Sequence, residues 1–285
     1  SQPIACPPNQ LPTGAAANFV SLVLEHWGLK SLAALNAGAC CAINSDSGKF
    51  FADARHAQTD GRRAANPKDT ALKLGIGSSA AICNASYVAL CTLSGRKPSL
   101  EEALALHRRW QHGKGSGLDI ASSWHGGVIQ FQAGRPTPAA LPKNLHWQLI
   151  WSGRSASTAD HINSFEQWRA RGQTQALDDL VVASQQLCQT SISMAHLRDY
   201  QSALATLDQH AQLNIFTTEH TRLVKLATAS GVLYKPCGAG GGDIGIGFAD
   251  DPHALRRFRQ EARSAGFQPL TLEMAKYGVT VERRA

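Results

Sequence analysis

Apolar positions along this chain recur mostly at helical spacing, broken by a few short alternating runs. Residues 1–14, rich in Pro, Gln and Gly, read as a loop. In 15–28 (AAANFVSLVLEHWG) Phe19, Val23, Leu24 and Trp27 share one helical face, and Gly28 stops the helix. Residues 49–73 are polar and turn-rich, with Gly61 and Asn66-Pro67, and read as a mobile connection. Residues 79–93 (SAAICNASYVALCTL) predict a buried helix of small residues, with Ser79 as N-cap and Gly95 and Pro98 beyond its end. Ser99 and Glu102 form a capping-box pattern that opens a second helix, running to about His112. A short helix follows at about 118–124, a strand at 127–132, and a proline-rich linker at 134–143.

The second half reads as strand 145–151, four amphipathic helices at about 157–171, 174–188, 193–211 and 217–230, and a strand–loop–strand over 231–248. A helix over 251–266 and a strand near 268–273 complete it. The Pro-rich stretch divides the chain into domains 1–143 and 144–285.

Two glycine-rich segments interrupt this pattern. Residues 73–81 read KLGIGSSAA and lead into the small-residue helix; 235–247 read KPCGAGGGDIGIG. A Gly/Ser loop opening a helix presents unpaired N–H groups at the positive end of the helix dipole, which suits phosphate. Five glycines between Gly238 and Gly245 are costly to order and imply close backbone approach to a ligand or to the first loop. A plain turn before a core helix, or a glycine hairpin, stands as the alternative for each. Gly75-x-Gly77-x-x-Ala80 also matches a dinucleotide fingerprint, but 66–70 is poor strand material and the acids Glu101 and Glu102 open a helix. No P-loop pattern occurs.

Between the loops lies Gly113-Lys114-Gly115-Ser116-Gly117-Leu118-Asp119. An acid just after a Gly-Ser-Gly turn can hold or deprotonate a hydroxyl beside a transferring phosphate, or simply cap a helix. Lys114 can pair with phosphate or Asp119, or be a solvated loop lysine. His107, His112 and His125 do not share a helix face, which disfavours metal binding. Ser78 and Ser79 lack the nucleophile-elbow pattern and suit a contact to phosphate or Mg²⁺ better. The five tryptophans after residue 100 read as core or interface residues.

Composition narrows the classes. Hydrophobic residues make up 43% and charged residues 17%, which fits a globular chain. The net charge of +7 is spread without a basic run longer than a pair, so small anionic substrates fit it at least as well as nucleic acid. Seven cysteines without CxxC point to a reducing cytosol and no structural disulfides. No apolar stretch reaches membrane-spanning length, and the N-terminus lacks signal-peptide features.

Taken in order, KLGIGSSAA, GKGSGLDIASSWHGG and KPCGAGGGDIGIG resemble the signatures of the GHMP kinases, and within them the phosphomevalonate kinases. A Lys before the first loop and G-G-G-D in the last favour that subgroup over mevalonate kinases. Residues 149–158 (LIWSGRSAST) resemble the start of the family's second domain, and the likeness covers roughly 15–280. The resemblance implies an α+β fold of two domains, an N-terminal βα domain and a C-terminal ferredoxin-like α/β sandwich. It implies an ATP- and Mg²⁺-dependent small-molecule kinase of isoprenoid synthesis, converting phosphomevalonate to diphosphomevalonate. A cytoplasmic monomer or homodimer acting on a small-molecule phosphoryl acceptor, with no nucleic-acid or membrane partner, is the matching expectation. The family's opening segment, of the kind A-P-G-K-x-x-L-x-G-E-Y, is not found ahead of 15–28; a fragment, a processed form or a shortened enzyme would account for that.

By resemblance, Asp119 is the catalytic acid, with Lys114 beside it. Lys73, Gly75, Gly77, Ser78, Ser79 and Ala80 surround the ATP phosphates, with a hydroxyl of Ser78 or Ser79 near Mg²⁺. Gly238, Ala239, Gly240, Gly241 and Gly242 support the nucleotide loop and line the acceptor site, with Lys114, Ser116 and Arg154 as further candidates for acceptor contacts. Cys237 stands where the family usually has Ser. Mevalonate kinase or another GHMP kinase is the near alternative. A catalytically weak binding or regulatory protein of this fold, and more remotely a nicotinamide-dependent oxidoreductase, are alternatives of other classes.

Overall fold

A computed structural model describes residues 9–11, 18–35, 50, 74–156, 158–172, 174–189 and 192–282. They form two compact units. Of the described residues, 9–11, 18–35, Gly77–Ala140 and 274–282 belong to the first; 50, 74–76 and Leu141–Glu273 belong to the second. The chain changes unit between Ile76 and Gly77, between Ala140 and Leu141, and again between Glu273 and Met274.

The first unit is built around α2 (Ser78–Ser94), against which α1 (Asn18–His26), α3 (Leu100–Trp110) and α4 (Leu118–His125) pack. Ala80, Cys83, Tyr87, Leu90 and Cys91 recur at helical spacing and are buried, so the small-residue helix is the core. Ser99 caps α3 by accepting from the Glu102 N–H at 3.2 Å, as its pattern predicts. The reciprocal half of the box is relayed. The Tyr87 hydroxyl accepts from the Ser99 N–H (3.1 Å) and donates to Glu102 Oε2 (2.6 Å), while Trp27 Nε1 donates to Oε1 (2.6 Å).

The proline-rich stretch is not a linker. β1 (Val128–Gln132) and β2 (Arg135–Ala139) form an antiparallel hairpin, with Gln132 opposite Arg135. Ala133 (φ 49°) and Gly134 (φ 79°) make the two-residue turn, both in the left-handed region that matches strand twist. Pro136 and Pro138 have the same parity, so one edge of β2 takes both missing donors. The tail returns to this unit: the Gly127 N–H donates to Ala275 O (2.7 Å) and the Val279 N–H to Ser123 O (3.1 Å).

The second unit carries an antiparallel sheet ordered β4-β5-β3-β6, made of β3 (His146–Trp151), β4 (Leu233–Pro236), β5 (Ile244–Ala249) and β6 (Gln268–Leu270). In chain order this is strand, helices, strand, strand, helix, strand, the ferredoxin-like pattern the resemblance implies. The helices are α5 (Thr158–Arg169), α6 (Gln175–Gln189), α7 (Met194–Ala211), α8 (Thr218–Ala229) and α9 (Pro252–Ser264). β5 alternates Ile244, Ile246 and Phe248 with Gly245, Gly247 and Ala249. The small set lets the neighbours close in: a Cβ on Gly247 would press on Val232 and Phe258, and one on Gly245 would overlap the Tyr234 phenol. Among the described residues every strand pair is antiparallel, unlike the parallel sheet of a nicotinamide-binding fold.

Candidate functional site

In the first unit, two helix N-termini lie side by side. α2 begins at Gly77, not at the expected Ser79 cap; Gly77 sits at φ 77° and no side chain caps the helix. The first helical bond runs from the Ala81 N–H to Gly77 O (3.1 Å), so the N–H groups of Ser78, Ser79 and Ala80 precede the helical ladder. α4 begins in the same way at Gly117 (φ 83°), again without a side-chain cap. Left-handed glycines turn the chain sharply into each helix.

Asp119 lies in the first turn of α4, half-buried, and its Oδ1 accepts from the Ile120 N–H at 3.0 Å. It is therefore not the N-cap. A Cβ on Gly77 would stand 3.7 Å from Asp119 Cβ, which places the carboxylate's stem against the start of α2. Cys83, one turn along α2, is pushed up to about 12 by burial first and by the Asp119 charge second. Buried Asn84 ties the helices together by donating to Ile120 O (3.0 Å). Ser79 Oγ lies 3.3 Å from Nε2 of buried His107. Lys114 is exposed in the turn before α4. The Ser116 hydroxyl, also exposed, accepts from the Leu118 N–H at 3.3 Å and so helps to order that turn.

The second glycine loop lies in the second unit and is held from three sides. Asp208 accepts from the N–H groups of Ile215 and Phe216, both at 2.8 Å, and fixes the segment after α7. Ile215 O then accepts from the Gly241 N–H (3.0 Å), and a Cβ on Gly240 would overlap Ile215. On another side the Asp243 N–H donates to Arg154 O (2.6 Å), Asp243 O accepts from the Ser152 N–H (2.8 Å), and Asp243 Oδ1 accepts from the Ala156 N–H (3.2 Å). From below, fully buried His220 bridges Gly242 O (2.9 Å) and the Tyr234 hydroxyl (3.0 Å). Gly240, Gly241 and Gly242 are consequently buried, whereas Gly238 is exposed and Ala239 half-buried. The glycine run is explained by close approach of the loop's own unit.

Asp243 is a non-glycine residue at φ 54°, and a Cβ on Gly75 would overlap its side chain. Gly75 and the second loop thus touch within the second unit. Arg154 contributes its backbone to that loop, while its exposed side chain lies near Glu219. Burial opposes ionisation of Glu219, but its own N–H, Thr217, Arg154 and His220 hold its carboxyl below the usual range. Lys73 lies outside the described residues. Sequence reasoning missed His220 and Asp208, which bear no motif; their only local signal is a place at a helix start or end. Among the described residues no cluster of three His, Cys, Asp or Glu side chains forms a metal cage, and no helix is long and apolar enough to cross a membrane.

Residues 49–127 match the model of the GHMP kinases N terminal domain. The chain is 31% identical over 246 residues to a phosphomevalonate kinase of Streptomyces sp. (strain CL190). That alignment covers 73% of this chain and just under two thirds, 66%, of the relative. Two solved structures share the fold. A Lin0012 protein from Listeria innocua superposes with a TM-score of 0.72 at 19% identity, covering 98% of this chain and 84% of that one. The Streptococcus pneumoniae phosphomevalonate kinase in complex with phosphomevalonate and AMPPNP gives 0.50 at 16% identity, covering 71% and 69%. Over residues 49–127 the chain carries the N-terminal domain of the GHMP kinases. Within that family its similarity to a phosphomevalonate kinase runs through both units.

Proposed function

We propose that this chain is an ATP- and Mg²⁺-dependent phosphotransferase whose acceptor is phosphomevalonate. The observation that supports it most is local to the first unit: Asp119 stands against the uncapped, glycine-opened start of α2. The amides of Ser78, Ser79 and Ala80 suit an anion there, because they carry the helix's positive end. Mg²⁺ fits beside the phosphates held there, since it commonly takes one or two protein oxygens and completes its shell with phosphate and water. Ser78 or Ser79 would supply a hydroxyl to it.

Bound MgATP supplies the γ-phosphoryl group and neutralises part of its charge. Asp119 orients the acceptor oxygen for in-line attack and takes its proton where it carries one. The new P–O bond then forms as the bond to the ADP oxygen breaks. Lys114 offsets charge on the moving group, and Ser116, Arg154, Gly238 and Ala239 contact the acceptor. Gly240 and Gly241 act from beneath as support. Lys73 and Gly75 complete the phosphate loop. Similarity to a phosphomevalonate kinase, and the phosphomevalonate and AMPPNP present in a structural relative, support this acceptor and nucleotide.

The test is ADP release by purified protein with ATP, Mg²⁺ and a panel of acceptors. Turnover with phosphomevalonate is expected. Turnover with mevalonate alone would transfer the assignment to that acceptor, and ATP binding without any turnover would refute the phosphotransferase reading. Asp119→Asn should lower kcat by roughly 100-fold or more while the protein stays folded, the scale of general acid–base catalysis. Wild-type turnover in that variant would remove Asp119 from the mechanism.

A further inference from the structure

His107 has no place in the function as argued so far, and the spacing of the histidines disfavours a metal role for it. The fold nevertheless gives it a defined position. It lies in the last turn of α3, 1% exposed. Its ring stacks with Trp110 (centroids 5.5 Å apart, planes at 21°) and with Phe19 (6.4 Å, 19°). Two aromatic neighbours with nearly parallel planes restrict rotation of the imidazole. Nε2 of that restrained ring lies 3.3 Å from Ser79 Oγ, in the first turn of α2.

A serine hydroxyl has three staggered rotamers and a freely turning proton. A bond to a fixed imidazole nitrogen selects one rotamer and also divides the hydroxyl's remaining capacity. Where Nε2 accepts, both Ser79 lone pairs stay available to a cation. Where Nε2–H donates, the Ser79 proton stays available to a phosphate oxygen. Either arrangement pre-sets the hydroxyl for a metal–phosphate ligand, before the ligand arrives.

We propose that His107 is a positioning residue that holds the Ser79 hydroxyl in place for the phosphate–metal end of the nucleotide. This rests on the phosphotransferase reading above. It acts on the site through Ser79, so it should alter the handling of MgATP and leave the acceptor's KM unchanged.

The experiment is a mutant cycle in the full chain. His107→Phe keeps a flat ring between Phe19 and Trp110 and removes the nitrogen. His107→Gln places an amide near the former Nε2. Ser79→Ala removes the partner. His107→Phe and Ser79→Ala should each lower kcat/KM for MgATP by about tenfold, the scale of one hydrogen bond. The double variant should be no worse than Ser79→Ala, and His107→Gln should recover most of the loss. Losses that multiply in the double variant, a changed acceptor KM, or no recovery by Gln would overturn the proposal. Full activity of Ser79→Ala would overturn it as well. Should His107→Phe fail to fold, the imidazole nitrogen resonances of His107 decide. The Nε2 signal shifts in Ser79→Ala if the bond exists, and an unchanged signal overturns it. A wild-type protein inactive with every acceptor would refute the underlying reading, whereas an active wild type with multiplying losses refutes this proposal alone.

Discussion

Replacing His220 with Leu should loosen the second glycine loop from beneath, and the size of the effect follows from its bonds. Gly242 O can only accept, so Nε2 carries the proton and Nδ1 accepts from the Tyr234 hydroxyl. Leucine fills much of the space but leaves a buried carbonyl and a buried phenol without that partner. Each stranded group costs about 1–3 kcal/mol, so a loss of about 2–6 kcal/mol is expected, a large part of a typical domain's stability. The pH dependence gives an independent check. Burial pushes the His220 imidazole below its usual 6.5, more than the Gly242 carbonyl and Glu219 push it up. A lowered folded-state value means that the unfolded chain takes up the proton first as pH falls. The contribution is therefore complete above pH 6.5 and declines below it, by at most about 1.4 kcal/mol per pH unit. Urea unfolding at pH 7.5 and 5.5 measures both effects. The gap between wild type and His220→Leu should be wide at pH 7.5 and narrower at pH 5.5. Equal stability at pH 7.5, or a gap that does not change with pH, would refute the reasoning.

Gly75→Ala places a Cβ on the Asp243 side chain at φ 72°, so about 2–3 kcal/mol should be lost together with turnover; urea midpoints and ADP release check this. Tyr87→Phe removes the hydroxyl between Ser99 and Glu102 and should cost about 1.5 kcal/mol, because Glu102 is partly exposed; an unchanged urea midpoint would show that the relay adds nothing. Burial, with the Asp119 charge second, raises the Cys83 thiol to about 12, so in the native protein it should resist alkylation by a neutral reagent at pH 8, and rapid labelling there would contradict its burial.

Much of the candidate site was legible because its signals are local. Glycines before a helix, an acid just after a Gly-Ser-Gly turn and the Ser99 cap each depend on a few neighbouring residues. The errors have the same origin. Ser79 looks like a cap by type, but the left-handed turn at Gly77 starts the helix earlier. The prolines at 136 and 138 suggest a linker, because nothing nearby shows that β1 will pair with one side of that segment.

By itself, then, the sequence determined the helices, the two glycine loops and the place of Asp119 at a helix start, since caps, periodicity and backbone freedom act over a few residues. Only the tertiary structure decided what the glycines admit and which side chains hold them. His220 reaches Gly242 across 22 residues, His107 reaches Ser79 across 28, and the tail at 275–279 returns to residues 123–127. Such partners carry no local pattern, because packing selects them after the helices and strands have formed.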